Sequence, residues 1–383
     1  MFTRLLQIAP TAKNSFFLFG ARGTGKTAWV REHFPEAVYV DLLDTSLQMK
    51  LAAQPNRLEQ LIPKRYQGWI VIDEIQKIPE LLDEVHRLIE SKRLRFVLTG
   101  SSARKLRKQG VNLLAGRAHT YHMYPLTTQE IGNFNLEEIL RFGTLPGLWG
   151  TDDRKRFLQS YVNTYVREEV LQEGLTRNLG AFHRFLEAAS LSQGSLLNVS
   201  NIARETMVSR KIVENYFSIL EDLLLGFYLP PFTKRAKRQI NTHPKFYFLD
   251  VGVFQILRPR GPLDIDSEIA GAALETLLIQ EVRALNDYLQ WGYQLSFWQT
   301  VTKYEVDLVL YGEKGFFAFE VKHTRKINKQ DLRGLKAFST EFPEAHCYLF
   351  YLGEQVEYVE NITIMPFATG LVKLVGILGK DLK

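Results

Sequence analysis

Short, unbroken apolar runs that stop at glycine or at small polar and acidic residues mark the front of the chain. Phe16–Phe19 stops at Gly20, Trp69–Ile72 at Asp73 and Glu74, and Phe96–Leu98 at Thr99, Gly100 and Ser101. Runs that are apolar at successive positions belong to strands buried on both faces, the habit of a parallel sheet covered by helices. From residue 151 to 197 the period changes, and in "KRFLQSYVNTYVREEVLQ" the apolar positions recur at helical spacing. "NVSNIARETMVSRKIVENYFSILEDLLLGFYL" then predicts a short helix, a turn at Met207 and Val208, and a longer helix with Ser209 as its N-cap. "GFYLPPF" and "KFYFLD" predict two strands on either side of the basic stretch "TKRAKRQINTHP".

The last third alternates instead. "KYEVDLVLYGEKGFFAFEVKH" places Val306, Leu308 and Leu310, then Phe317, Phe319 and Val321, at every second position. If both triplets face one core, the segment is a hairpin pairing 306 with 321, 308 with 319 and 310 with 317, with Glu313 and Lys314 as its turn. In that register Asp307 lies opposite Glu320 and Glu305 opposite Lys322, all four on the other face. The fold class expected is α/β in three parts: a parallel-sheet domain over residues 1–150, a helical segment ending in a strand pair over 151–262, and a second α/β domain over 263–383.

A length of 383 residues suggests two or three domains, and 45% hydrophobic with 23% charged residues is an ordinary globular composition. The start lacks a secretory apolar core and no apolar run is long enough to span a bilayer, so no membrane partner is expected. The single Cys347 cannot close an internal disulfide, which fits a reducing, cytoplasmic setting. The net charge of +6 is uneven: residues 1–150 carry 20 Lys and Arg against 14 Asp and Glu, residues 151–262 carry 16 against 11, and residues 263–383 carry 12 against 17. A phosphate-rich partner would therefore meet the first two segments before the acidic third.

"FFLFGARGTGKTAWV" fits strand, glycine-rich turn and helix, with Gly20, Gly25, Lys26 and Thr27 matching G-x-x-x-x-G-K-[ST] and Gly23 inside the loop. Such a P-loop wraps backbone N–H groups around phosphates, Lys26 reaches the β and γ oxygens of ATP, and the Thr27 hydroxyl ligates Mg2+. Asp73, at the carboxyl end of the next buried strand, would hold that magnesium through water, and Glu74 would orient or deprotonate the attacking water. The alternative for the two acids is a helix N-cap pair. Ser101, or else Thr99, is placed to sense the γ-phosphate, although turns after strands favour Ser and Gly in any case. Arg117 is a candidate arginine finger, which acting in trans would require a homo-oligomer. The competing role is a surface ion pair.

The series "GARGTGKT", "WIVIDEI", "FVLTGSS", "LAGRAHTYHMYPLTTQEI" and "GTLPGLW", continued by "YFLDVGV" and "AGAALETLLIQEV", resembles a large prokaryotic family of AAA-type ATPases with a C-terminal domain of unknown function. The resemblance covers nearly the whole chain and implies the ATPase assignment and the order of the domains.

In the middle segment, helix, turn, helix and hairpin outline a winged helix. Its DNA contacts would be Arg210, Lys211 and Asn215 at the start of the second helix and Lys234, Arg235, Lys237 and Arg238 on the wing. A packing or partner surface is the alternative, since a charge run in a loop is usually only solvated. In the last segment two carboxylates facing each other across strands repel unless a cation lies between them, and Mg2+ or Mn2+ would suit Asp307 and Glu320. Lys322 would then activate water and stabilise charge on phosphate. The spacing D-x12-E-x-K resembles the PD-(D/E)xK core of restriction-endonuclease-like domains, although Val306 stands where the motif has its proline. A third acid would come from the preceding helix, Glu275 first and Glu281 second. Against the metal site stand a Glu305–Lys322 salt bridge and a nuclease-like platform that binds without cutting. The functions this leaves are an ATPase coupled to nucleic-acid binding or cleavage, a nucleotide-switched regulatory protein, and an assembly protein whose winged helix meets another protein.

Overall fold

Ser15–Phe19 (β1), Val38–Asp41 (β2), Trp69–Asp73 (β3), Arg95–Gly100 (β4) and Ala118–His122 (β5) pair in the order β2-β3-β4-β1-β5. Every pairing is parallel. The computed structural model describes residues 2–8, 12–102, 117–166, 170, 178–233, 243–262 and 264–379. β1 and β3 are buried from end to end, as their unbroken apolar runs require. Lys26–His33 (α1), Thr45–Ala53 (α2) and Leu81–Lys92 (α3) cover the sheet, and α3 turns Leu81, Leu82, Val85 and Leu88 inward at helical spacing. Those side chains close over Phe17, Phe19, Ile70, Ile72, Phe96 and Leu98 in one core. This α/β unit, Leu6–Pro125 with Ile219–Leu225, has the P-loop NTPase fold. The strand order matters for the site, because β4 lies between β1 and β3 and its last residues separate the glycine-rich loop from the acidic strand end.

The second compact unit comprises Met1–Leu5, Leu126–Ser218 and Gly226–Lys383. The expected boundary near residue 150 falls inside it, where the Leu126 N–H donates to the Thr144 carbonyl at 2.9 Å and the Thr144 N–H to Asp250 Oδ2 at 2.7 Å. Leu179–Leu191 (α4), Val199–Thr206 (α5) and Arg210–Asp222 (α6) precede the antiparallel strands Gly226–Leu229 (β6) and Lys245–Phe248 (β7). Met207 makes the turn after α5 with φ +56°. Asp266–Tyr288 (α7) then leads into six strands, Gln294–Gln299 (β8), Glu305–Gly312 (β9), Gly315–Lys322 (β10), His346–Tyr351 (β11), Glu357–Val359 (β12) and Ile362–Pro366 (β13). Their order is β12-β13-β11-β10-β9-β8, parallel where β11 meets β10 and β13 and antiparallel elsewhere.

The hairpin register is as the alternation requires, with Phe317 against Leu310, Phe319 against Leu308, and Gly312 against Gly315 around the turn. One part of the expectation fails. Between Ser296↔Val309 and Trp298↔Val306 the β8–β9 pairing shifts, leaving one extra residue on β9. Val306 thereby joins Val309, Ala318 and Trp298 in a core closed by Leu335 and Phe338 of Arg333–Glu341 (α8). The face opposite Leu308 and Phe319 is thus itself apolar, and the β9–β10 pairs run no further than Phe319↔Leu308. Charged side chains therefore gather at the end of the strand pair rather than along an open face. Among the described residues no helix is long and apolar enough to cross a membrane.

Candidate functional site

The loop after β1 is built by its glycines. Gly23 (φ +83°) and Gly25 (φ +94°) lie in the left-handed region, and a Cβ at Gly20 would clash with the Met123 carbonyl oxygen. Lys26 is 5% exposed and its Nζ donates to the Gly20 and Ala21 carbonyls at 2.6 and 3.2 Å. The ammonium therefore sits inside the loop that it would serve. Thr27 Oγ1 donates to Asp73 Oδ2 at 3.0 Å, so the two expected magnesium ligands already meet. Tyr39 donates to the same Asp73 oxygen and Thr99 to the other. A hydroxyl and a buried carboxylate side by side suit a hard, oxygen-seeking cation.

Glu74 follows with φ +62°, its N–H held by Thr99 Oγ1 at 3.2 Å. Gln76 donates through Nε2 to Glu74 and, at 3.0 Å, to Ser101 Oγ. Ser101 and Thr99 therefore both reach the acidic pair, Thr99 directly to Asp73 and Ser101 through Gln76. Sequence reasoning missed Gln76, whose only signal is its place two residues past the acids, and Tyr39, which lies on a different strand.

Arg117 lies elsewhere. β5 runs parallel to β1 with Ala118 beside Ser15, so Arg117 stands at the amino end of the sheet, whereas Gly20 and Asp73 stand at the carboxyl end. Five residues of strand separate the two ends, about 16 Å. Its guanidinium pairs with Glu90 of α3. Arg117 does not belong to the phosphate site of its own chain.

The late carboxylates do converge, around a residue the sequence had not singled out. Lys245, the first residue of β7, is 1% exposed. Its Nζ contacts Glu275 Oε1 of α7 at 2.9 Å and also pairs with Glu305. Tyr247, two residues on, donates its hydroxyl to the same Glu275 oxygen. Burial alone would lower the Lys245 pKa, but Glu275, Tyr247, Glu305 and Asp307 outweigh it and hold it well above the lysine range. The Glu305–Lys322 bridge is accordingly replaced, with Glu305 taken by Lys245 while Lys322 donates to Glu320 Oε1 at 2.6 Å.

Asp307 accepts the Val321 N–H at 2.7 Å through Oδ2, a side chain standing in where the strand pairing ends. Its pKa is pushed well up by burial and by the nearby Glu320 and Glu275, and burial raises that of Glu320 to about 7. Glu320 Oε2 is buried with no hydrogen-bond partner. Asp307, Glu320 and Lys322 line a cleft of about 600 Å³ together with Lys303 and Arg333. The expected metal set of Glu275, Asp307 and Glu320 does not assemble. Each acid has an oxygen engaged by a protein donor, and among the described residues no group of three or more His, Cys, Asp or Glu is placed to hold a metal ion.

Glu281, the second choice for the helix acid, points away from this cluster and accepts the Thr128 N–H at 2.6 Å, leaving Oε2 buried and unpartnered. Burial, assisted by Glu130, raises its pKa from 4.5 to about 8. A carboxyl that stays protonated in the folded state favours folding at low pH, and that advantage is lost as pH climbs from about 4.5 to about 8. Glu281→Gln should change urea stability little at pH 5 and raise it by roughly 2 kcal/mol or more at pH 8, since a tenfold change in proton affinity between unfolded and folded chain is worth about 1.4 kcal/mol. An equal effect at both pH values would refute this assignment.

Of the basic residues expected at DNA, Arg210 pairs with Glu214 one helical turn on, at 2.9 Å, and Lys211 and Asn215 are exposed on the same helix. The wing residues Lys234, Arg235, Lys237 and Arg238 lie outside the described residues.

Residues 12–132 match the family described as AAA domain. Residues 133–265 and 270–369 match two families described as Domain of unknown function (DUF8612) and Domain of unknown function (DUF4143). An uncharacterized protein of Mycobacterium tuberculosis is 24% identical over 75% of this chain, and one of Methanocaldococcus jannaschii is 25% identical over 84% of it and 77% of its own length. The chain spans 65% of the mycobacterial relative's length. Among solved structures, the Aeropyrum pernix ORC2 protein in its ADP form is similar over 70% of this chain and 89% of its own, at 12% identity and a TM-score of 0.30. The family match gives residues 12–132 as an AAA-type, P-loop nucleotide-binding domain.

Proposed function

We propose that the protein is a Mg2+-dependent ATPase whose nucleotide state governs how its remaining residues engage nucleic acid. The observation that carries the ATPase reading is the meeting of Thr27 with Asp73 beside a Lys26 held inside the phosphate loop. Bound magnesium, held by Thr27 and through water by Asp73, would neutralise charge on the β- and γ-phosphate oxygens. Lys26 exchanges its carbonyl partners for phosphate oxygens, the loop N–H groups cradle the phosphates, and Glu74 takes the proton of the attacking water. Gln76 and Ser101 hold the Glu74 carboxylate in place and report on the γ-phosphate. Arg117 serves only in trans, leaving Glu90 to reach a neighbouring copy's nucleotide.

Three functional parts follow in this reading: an ATPase domain in the unit Leu6–Pro125 with Ile219–Leu225, a helical and winged-helix middle up to residue 262 that offers Arg210, Lys211 and the wing lysines and arginines to DNA, and a nuclease-like domain at 263–383. Within the last, the engagement of Glu275 by Lys245 favours a platform that binds without cutting over a metal-dependent endonuclease. Glu74→Gln tests the whole reading. ATP should still bind while phosphate release falls by about 100-fold or more, the usual worth of a positioned general base. DNA at low salt should speed the parent enzyme. Undiminished turnover in Glu74→Gln would remove the catalytic assignment, and the absence of both DNA binding and stimulation would remove the nucleic-acid half.

A further inference from the structure

We infer that Lys245 is the resident cation of the carboxylate cluster, occupying by its ammonium the place that a divalent metal ion would need. A lysine is almost never fully buried unless paired, and this one is paired twice, to Glu275 and Glu305. The position is fixed by backbone. Lys245 pairs with Leu229 across the β6–β7 ladder and bridges to Leu196 on its other side. Its Nζ lies 5.2 Å from the centre of the Phe297 ring, a further cation-binding surface. Tyr247 then saturates the Glu275 oxygen that faces the ammonium.

The remaining acids are arranged to match. Asp307 is anchored by the Val321 N–H and Glu320 by Lys322, so each of the four carboxylates already has a lysine or backbone donor without an ion. A magnesium or manganese ion brought among Glu275, Glu305 and Asp307 would have to displace an ammonium that cannot reach water. That is costly for a fully desolvated charge. The cleft on Asp307 and Glu320 therefore offers a polar surface bearing Lys303, Lys322 and Arg333, with no metal-activated water. This inference deepens the binding-platform reading, and metal binding is chosen as the readout so that the two fail separately. DNA binding without cutting can hold whichever cation fills the cluster.

The experiment counts Mn2+ bound to the full chain, without nucleotide, by the electron paramagnetic resonance signal of free Mn2+. The parent and Asp307→Asn are expected to bind equal numbers of ions, because the cluster binds none. Lys245→Met is expected to gain one site, which Lys245→Met with Asp307→Asn loses. One ion fewer in Asp307→Asn than in the parent overturns the inference, and so does a folded Lys245→Met that gains none. If Lys245→Met does not fold, the first comparison decides alone.

Discussion

Lys26→Ala is expected to abolish ATP turnover. Its Nζ is the cation held inside the phosphate loop, 2.6 Å from the Gly20 carbonyl, and no neighbouring side chain in the loop sequence "GARGTGKT" is placed on the helix's first turn to replace it. A charge-stabilising donor aimed at developing charge in a site of this kind is worth about 100- to 1,000-fold in rate. Because the lysine also binds ground-state phosphate, affinity for ATP should weaken as well, unlike in Glu74→Gln, where binding survives. Alanine favours the first turn of α1, so the fold should persist. The measurement is steady-state phosphate release with binding of a fluorescent ATP analogue beside it. Equal rates in variant and parent would show that the P-loop geometry is not used for hydrolysis.

The geometry of the candidate nucleotide site was legible because its parts are local. The glycines, Lys26 and Thr27 occupy one turn, and Asp73 ends a strand whose apolar run announces it. Arg117 shows the limit of that reading. A lone arginine before an extended stretch carries no information about which end of the sheet it occupies, and only the pairing of Ala118 with Ser15 places it away from the phosphates. The hairpin register followed from alternation, yet Val306 escaped it, because the extra residue on β9 is fixed by pairing with β8, a strand outside the hairpin. Lys245 was missed for a related reason. In "HPKFYFLD" it is a strand-opening lysine soon after a basic stretch, indistinguishable in sequence from the lysines and arginines before it. Its partners lie 30 and 60 positions away on α7 and β9, and no periodicity links them.

Lys245→Met should be among the most destabilising single substitutions in the second unit. Methionine fills most of the volume and keeps the contact with Phe297, so what is lost is chiefly the charge. Glu275 is then left with Tyr247 as its remaining donor among those around it, and the Asp307 and Glu305 carboxylates lose the cation that offsets them. Breaking a buried pair from one side costs about 3–5 kcal/mol, because the partner stays desolvated and uncompensated. The same physics predicts the rescue. Adding Glu275→Gln removes the orphaned charge and should return a large part of the loss, so that the double variant is more stable than Lys245→Met alone. Mn2+ should also stabilise Lys245→Met while leaving the parent's second unit unmoved, since a ligand that binds only the folded state adds to its stability. Urea unfolding of the four proteins of this cycle, with and without Mn2+, distinguishes a charge held by Lys245 from a lysine that merely fills space: in the latter case the two losses would add, and the metal would do nothing.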